Sequence, residues 1–289
     1  LVMALERSPS LRLRRLAAEL RRAREQANLT GSQAAKKLKW SAGKLSKIEK
    51  TETKRITSGD LDKMLDLYKV NDPRTREAMH ALAKDAKLRG WWSKYKDVFG
   101  DRALPDFEAE ASVIRTFTTQ TVPGLLQTPE YAEAIFRGGR YVSPEEIRRR
   151  LEFRMERREV LTRFRPVQLR AVIDEAALRR QIGDIKTMRE QLDHLLYMAQ
   201  LPNIDIQVLP FSAGAHAALA APFTILEFTD PLDTPIVYVG TVTDALFIEE
   251  ADDVTQYSVT FGDVQGSSLS TARSAAFIKE VAATQESDK

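Results

Sequence analysis

The stretch from Leu29 to Thr51, LTGSQAAKKLKWSAGKLSKIEKT, constrains the chain more than any other. It holds two short helical patterns separated by a gap that admits only a tight turn. Thr30 and Gln33 have the spacing of a capping box and predict a helix from Gly31, with Ala34, Ala35 and Leu38 turned toward a core. Lys39 and Trp40 make the turn. Ser41 is placed to cap a second helix in which Leu45 and Ile48 face inward, while Gly43, Ser46, Lys47 and Lys50 face out.

A helix that reads a DNA groove needs an apolar seam to set its depth, short residues where backbone meets DNA, and long donors for phosphates or guanine edges. The second helix has all three. The same pattern also describes a surface helical hairpin with solvated lysines, and charge alone does not separate the two readings. Its location narrows the choice. Residues 1 to 60 carry 15 Lys and Arg against 6 Asp and Glu, net +9, so the remaining 29 against 35, from totals of 44 and 41, give net −6. A local cation excess concentrates polyanion binding at one end of the chain.

Residues 24 to 49 resemble the XRE family of lambda-repressor-like helix-turn-helix domains. The residues that carry the resemblance are Arg24, Leu29, Thr30, Ala35, Leu38, Ser41, Leu45, Ser46, Ile48 and Glu49. The resemblance implies a structural ion pair between Arg24 and Glu49. It also implies a DNA-facing set of Ser32, Gln33, Ser41, Ala42, Gly43, Lys44, Ser46, Lys47 and Lys50, with Lys54 and Arg55 as a backbone clamp in the following loop. Gly31 stands where that family often has a Gln that touches DNA. Lys39 and Thr51 stand where it has Gly at the turn and at the end of the recognition helix. A left-handed backbone costs Lys or Thr more than Gly, so a wider turn is expected.

Around this segment, Leu13, Leu16, Leu20, Ala23 and Ala27 predict a first helix whose remaining surface carries Arg12, Arg14, Arg15, Arg21 and Arg22. Those arginines either reach phosphates or simply solubilise the helix. Thr57 with Asp60 predicts a further cap, followed by inward Leu61, Met64, Leu65 and Tyr68, and Asp72-Pro73 opens a fifth helix with Met79, Leu82 and Ala83. Gly90, Trp91 and Trp92 interrupt the pattern, so the junction is placed between about 88 and 106, giving an all-α DNA-binding domain over 1–90 and an α+β domain over 91–289. Trp91 and Trp92 are candidate ligand-binding residues, or a core or interdomain seam.

Beyond the junction, helices are predicted at 129–137, 144–162, 185–200 and 268–283, and strands at 167–173, 204–209, 222–229, 236–241 and 245–249. The 144–162 helix interleaves Arg148, Arg149, Arg150, Arg154, Arg157 and Arg158 with glutamates, a pattern that reads as a solvated face laced with ion pairs. No Gly-rich phosphate loop, G-x-S-x-G, H-E-x-x-H or paired His stands in the chain, and His80, His194 and His216 are far apart. An enzyme is not expected, nor a cofactor. Cysteine is absent, which excludes disulfides and thiol chemistry. Neither a long apolar span nor a signal-peptide pattern is legible, so a cytoplasmic protein that does not enter the membrane is expected.

PGLLQT at 123–128, DEAALRR at 174–180, QVLPFSAGAHAAL at 207–219 and PFTILEF at 222–228 resemble the domain that follows an XRE module in actinobacterial WhiJ-like and Scr-type antitoxin-like regulators. That resemblance implies a regulator of transcription that binds double-stranded DNA as a homodimer and meets a small protein encoded by a neighbouring gene. Two other readings stand beside it. One is an antitoxin-like protein whose main role is capture of that partner. The other is a small-molecule-responsive regulator, with Trp91, Trp92 and the apolar 207–228 region around the ligand.

Overall fold

The computed structural model describes residues 11–51, 53, 56–85, 94–95, 104–138, 143–229, 233–241 and 244–284. The chain divides into two compact units; among the described residues the first ends at Phe107 and the second begins at Glu108.

In the first unit, helices α1 (Leu11–Gln26), α2 (Gly31–Leu38), α3 (Ala42–Glu49), α4 (Ser58–Leu67) and α5 (Pro73–Asp85) follow one another through short connections. α2, α3 and α4 in particular are too short to persist alone, so packing of their apolar stripes supplies the stability. Leu16, Leu20, Ala34, Leu45, Ile48, Leu61, Met64 and Leu65 are all but fully buried in one cluster, with Trp40 and Leu38 packed at its margin. Caps set the helix starts: the Thr30, Ser41 and Thr57 hydroxyls accept from the backbone N–H of Gln33, Lys44 and Asp60.

Four non-glycine residues adopt left-handed backbone in this unit: Asn28 (φ 55°), Lys39 (φ 58°), Thr51 (φ 59°) and Lys69 (φ 59°). Each stands just after a helix. After three of them the next amide reaches back five residues: Leu29 N–H to Arg24 O at 3.2 Å, Trp40 N–H to Ala35 O at 2.9 Å and Val70 N–H to Leu65 O at 3.0 Å. That is a glycine-type helix closure made without glycine. The wider turn expected at Lys39 is therefore not what forms; the turn keeps the tight geometry, and Lys39 and Thr51 bear the backbone cost instead.

The second unit starts in helix α6 (Leu104–Glu110), which contributes its last residues, and is built on a six-stranded sheet in the order β3, β2, β1, β4, β5, β6. The strands are β1 (Val113–Thr118), β2 (Gln168–Asp174), β3 (Ile204–Leu209), β4 (Phe223–Glu227), β5 (Ile236–Gly240) and β6 (Ala245–Ile248). β1, β2 and β3 run parallel, and β4, β5 and β6 add antiparallel neighbours. The parallel half is joined by helices, α7 (Pro129–Arg137) and α8 (Pro144–Arg157) in one crossover, α9 (Glu175–Arg179) and α10 (Ile185–Met198) in the next. One sheet face, with Phe117, Phe223, Ile225 and Val237, buries Val254, Phe261 and Val264 of α11 (Ala251–Ser267). The other face carries a row of hydroxyls across three strands: Thr116 opposite Thr224, and Thr224 opposite Tyr238. The outer edge of β3 is closed by the segment leading into α12 (Thr271–Thr284): Leu269 N–H donates to Val208 O at 2.9 Å, and Val208 N–H donates to Ser274 Oγ at 2.9 Å.

The α+β architecture agrees with the sequence expectation, while strand β1, helix α11 and the short helices α6 and α9 were not foreseen. β1 reads VIRTFT, whose Arg115 and Thr116 obscured a central strand. Arg115 pairs through Nη2 with Glu227 and Ser258, although its Nε is buried without an acceptor among the described residues, and the Thr116 hydroxyl bonds that of Thr224 at 2.9 Å. α11 holds Val254, Thr255, Val259, Thr260, Gly262 and Gly266, a poor helix composition that packing of Val254, Tyr257, Phe261 and Val264 overrides.

Candidate nucleic-acid interface

α3 is held in place by its inner side chains and by one charged tie. Leu45 and Ile48 are each 2% exposed and anchor the helix to the core. Arg24 of α1 grips Glu49 with two hydrogen bonds, Nε to Oε1 at 2.8 Å and Nη2 to Oε2 at 3.1 Å, and its Nη1 donates to Leu29 O at 2.7 Å. Glu49's hydrogen bonds and charge outweigh burial and hold the Arg24 pKa above its ordinary value. Arg21 adds a bond to Glu49 O at 2.9 Å. Depth and rotation of α3 are thereby fixed relative to α1.

Ser41, Ala42 and Gly43 at the start of α3, and Lys47 and Lys50 further along, are exposed; Ser46 is half-buried. Ser32 and Gln33 are exposed on the first turn of α2, where the Gln33 carbonyl accepts the Thr30 amide at 2.9 Å and completes the capping box. A shallow cleft of about 320 Å³ runs beside α3, lined by Ser41, Gly43, Lys44, Lys47, Ile48, Thr53 and Asp60. Gly43 has open space where a Cβ would point, so nothing inside the molecule demands glycine there. Small side chains, free amides at a helix start and a lysine on the rim suit contact with a phosphate-lined groove.

Lys44 stands apart from the other candidates. Its Nζ is 2.9 Å from Asp60 Oδ2 and lies 4.0 Å from the centre of the Trp40 ring, so the cation ties α3 to α4 and to the turn. The Lys44 hydrogen bond holds the Asp60 carboxyl below its usual range. Lys54, Arg55, Trp91 and Trp92 lie outside the described residues. Of the α1 arginines, Arg14 stacks 4.8 Å from the Phe107 ring centre and Arg21 is engaged at Glu49, while Arg22 is exposed. Thr53 was not among the sequence candidates; only the fold of the α3–α4 connection brings it beside Lys47.

In the second unit the motif blocks turn out to be polar fastenings. In PGLLQT, Thr128 N–H donates to Gln191 Oε1 at 2.8 Å, Gln191 Nε2 donates to Leu126 O at 2.8 Å, and Gln127 Nε2 donates to Val122 O at 2.7 Å. Buried Glu175 of DEAALRR accepts from Phe211 N–H at 2.8 Å, tying that block to QVLPFSAGAHAAL, whose turn closes on Gly214 at φ 67°. The apolar run after Phe211 divides in two: Phe223, Ile225 and Leu226 of β4 are buried, as is Ala218, whereas most of 211–222 is exposed, Phe211 at 58% and Leu219 at 67%. His194 sits in α10, accepts at Nε2 from Arg158 Nη2 at 2.8 Å, and is pushed down to about 4, by burial first and by the Arg158 charge second.

α8 departs from the solvated face expected of its charge pattern. Arg148 and Arg150 do pair with Glu145, Glu152 and Glu146 outside. Arg154, Arg157 and Arg158 instead turn inward, because α8 lies on that side against the 122–128 loop, Glu108 and α10.

Residues 15–79 match the family described as a helix-turn-helix domain, and residues 101–280 match the one described as a domain of unknown function, DUF5753. No curated protein and no solved structure gives a significant match. The first unit is accordingly a helix-turn-helix DNA-binding domain, and among the described residues no helix is long and apolar enough to cross a membrane. The DUF5753 match spans more than half of the chain, which belongs to that family.

Proposed function

We propose that this DUF5753 protein is a sequence-specific transcriptional regulator of the XRE type that docks α3 in the major groove of duplex DNA. The observation that carries the reading is the clamped α3 itself: a buried seam, the Arg24–Glu49 tie behind it, and Ser41, Ala42, Gly43 and Lys47 exposed in front. One eight-residue helix offers few base contacts, so a homodimer on two half-sites about one DNA turn apart supplies the affinity. The second unit carries dimerisation and the response to a small protein partner, a role supported by exposed Phe211 and Leu219 in one loop; an antitoxin-like capture of that partner uses the same surface.

Selection from a randomised duplex pool tests the DNA reading. An enriched site with two related halves is expected, on which Lys47→Ala costs about 1–3 kcal/mol and relaxes one position of each half. A pool that yields no enriched sequence, or a site read equally well by Lys47→Ala and wild type, would falsify the docking. Sedimentation of the chain with and without that site, and with the product of an adjacent small gene, tests the second unit: a monomer that binds the full site and ignores the small protein removes both roles.

A further inference from the structure

Arg154 and Arg157 stand three residues apart on α8, both turned inward, and they differ in how they are satisfied. Arg157 donates twice to Glu108, at 2.8 and 2.6 Å, and both side chains are nearly buried, at 12% and 5% exposure. Burial alone would lower Arg157, yet the charge and hydrogen bonds of Glu108 outweigh it and hold its pKa above the ordinary value. Among the described residues no carboxylate bonds Arg154, which feels the Glu108 charge only at a distance. Its Nη1 donates to the neutral Gln127 Oε1, its guanidinium lies 5.1 Å from the Phe136 ring centre, and its Nε is buried with no acceptor.

The surroundings hold Arg154 there. Gly124 leaves room for it: a Cβ at that position would come within 3.2 Å of Arg154 Nη1. Gln127 is oriented by its own bond to Val122 O. Two guanidinium groups thus share one carboxylate, and Arg154 is pushed down to about 9, by burial first and by its neighbour Arg157 second. The Tyr238 phenol lies within electrostatic range of both cations and occupies the end of the Thr116, Thr224, Tyr238 row, where Thr224 and Tyr238 are only half-buried. A desolvated cation beside a second cation is costly, and an oxyanion is the partner that removes the cost.

We infer that Arg154, with Arg157 and Tyr238 beside it, forms a binding site in the second unit for a small molecule bearing an oxyanion, carboxylate or phosphate. Nη1 is committed to Gln127, so the anion is taken on the remaining Nε–Nη2 edge, the edge that grips oxyanions with two parallel bonds. The phenol is a further donor, and Glu108 keeps Arg157 from competing for the same ligand. The inference does not depend on the reading of α3, because no DNA enters its test.

The test uses the full chain, titrated with inorganic phosphate and, separately, with acetate, at ionic strength held constant with sodium chloride. Thermal midpoint and hydrogen exchange of peptides covering 122–128 and 150–158 are read. A saturable rise in midpoint with slowed exchange in those peptides is expected for at least one anion, and the responding anion identifies the oxyanion preferred. Arg154→Met should weaken the apparent affinity more than tenfold while being no less stable than wild type in chloride alone. Tyr238→Phe, which keeps the ring, should weaken it several-fold and guards against a misfolded Arg154→Met. Midpoints that follow ionic strength alone, exchange unchanged in both peptides, or a response that survives Arg154→Met would each overturn the site.

Discussion

The two units are held together by different chemistry. The first closes around aliphatic side chains, and its polar bonds are largely local: caps three residues apart and closures five residues apart, with Arg24–Glu49 the main long-range tie. The second is fastened from within by polar side chains far apart in sequence: Gln191 to Leu126, Asn203 to Leu161 and Val167, Arg157 to Glu108, Glu175 to Phe211. A domain whose contacts are local can be rebuilt from spacing. One whose contacts are remote and polar rests on single residues that spacing alone does not mark.

The sharpest break in that comparison is Glu108→Ala. It leaves Arg157 charged and buried beside Arg154, and the second unit should lose about 4 kcal/mol while the first is unmoved. Chemical denaturation followed by exchange in each unit reads both transitions; a loss under 1 kcal/mol would mean the pair is hydrated. Glu49→Ala is the counterpart in the first unit. It should cost about 2 kcal/mol there and weaken DNA binding through instability, so binding should recover on cooling or with a stabilising osmolyte.

Acid should separate the units as well. His194 has a folded pKa near 4 against an ordinary 6.5, so as pH falls below 6.5 the unfolded chain takes up the proton first. Its contribution is complete above pH 6.5 and is lost progressively down to pH 4, about 2 kcal/mol after allowance for partial exposure. The shifts that stabilise the first unit through acids, at Asp60, Asp62 and Asp72, lie below 3.8 and are still intact in that window. Melting at pH 7 and pH 4.5 should therefore lower the second transition more than the first, and His194→Gln should flatten the difference. The smallest effect is expected at the helix closures: Lys39→Gly should stabilise the first unit by up to about 1 kcal/mol, since it relieves the left-handed backbone at some cost in chain entropy. A destabilised Lys39→Gly would show that the Lys39 side chain contributes more than its backbone strain removes.

The same contrast explains what the sequence disclosed. The caps at Thr30, Ser41 and Thr57 and the inward Leu45 and Ile48 are spacing signals, and they located α2, α3 and α4 closely. β1 was missed because Arg115 and Thr116 look solvent-facing until Glu227 and Thr224, more than a hundred residues away, are placed opposite them. α11 was missed because its β-branched residues and glycines argue against a helix and only the sheet face argues for one. The outward face of α3 was legible, whereas the diversion of Lys44 to Asp60 and Trp40 was not: a lysine's stem can swing to either side, and only the position of α4 decides. The inward turn of Arg154 and Arg157 was hidden for the same reason, by glutamates that satisfy the helical charge pattern on the other side.

The closure of β3 by Leu269 and Ser274 has a bearing on how the chain is made. β3 is complete once residue 209 has been synthesised, yet the groups that seal its outer edge come some sixty residues later. Throughout that interval on the ribosome, a strand reading IDIQVL presents unsatisfied amides and carbonyls next to Ile206 and Val208, the conditions that favour pairing with another nascent chain. Leu269 and Ser274 thus act as a late latch, and a chain that stops at 268 should form the sheet yet accumulate as aggregates or chaperone-bound material.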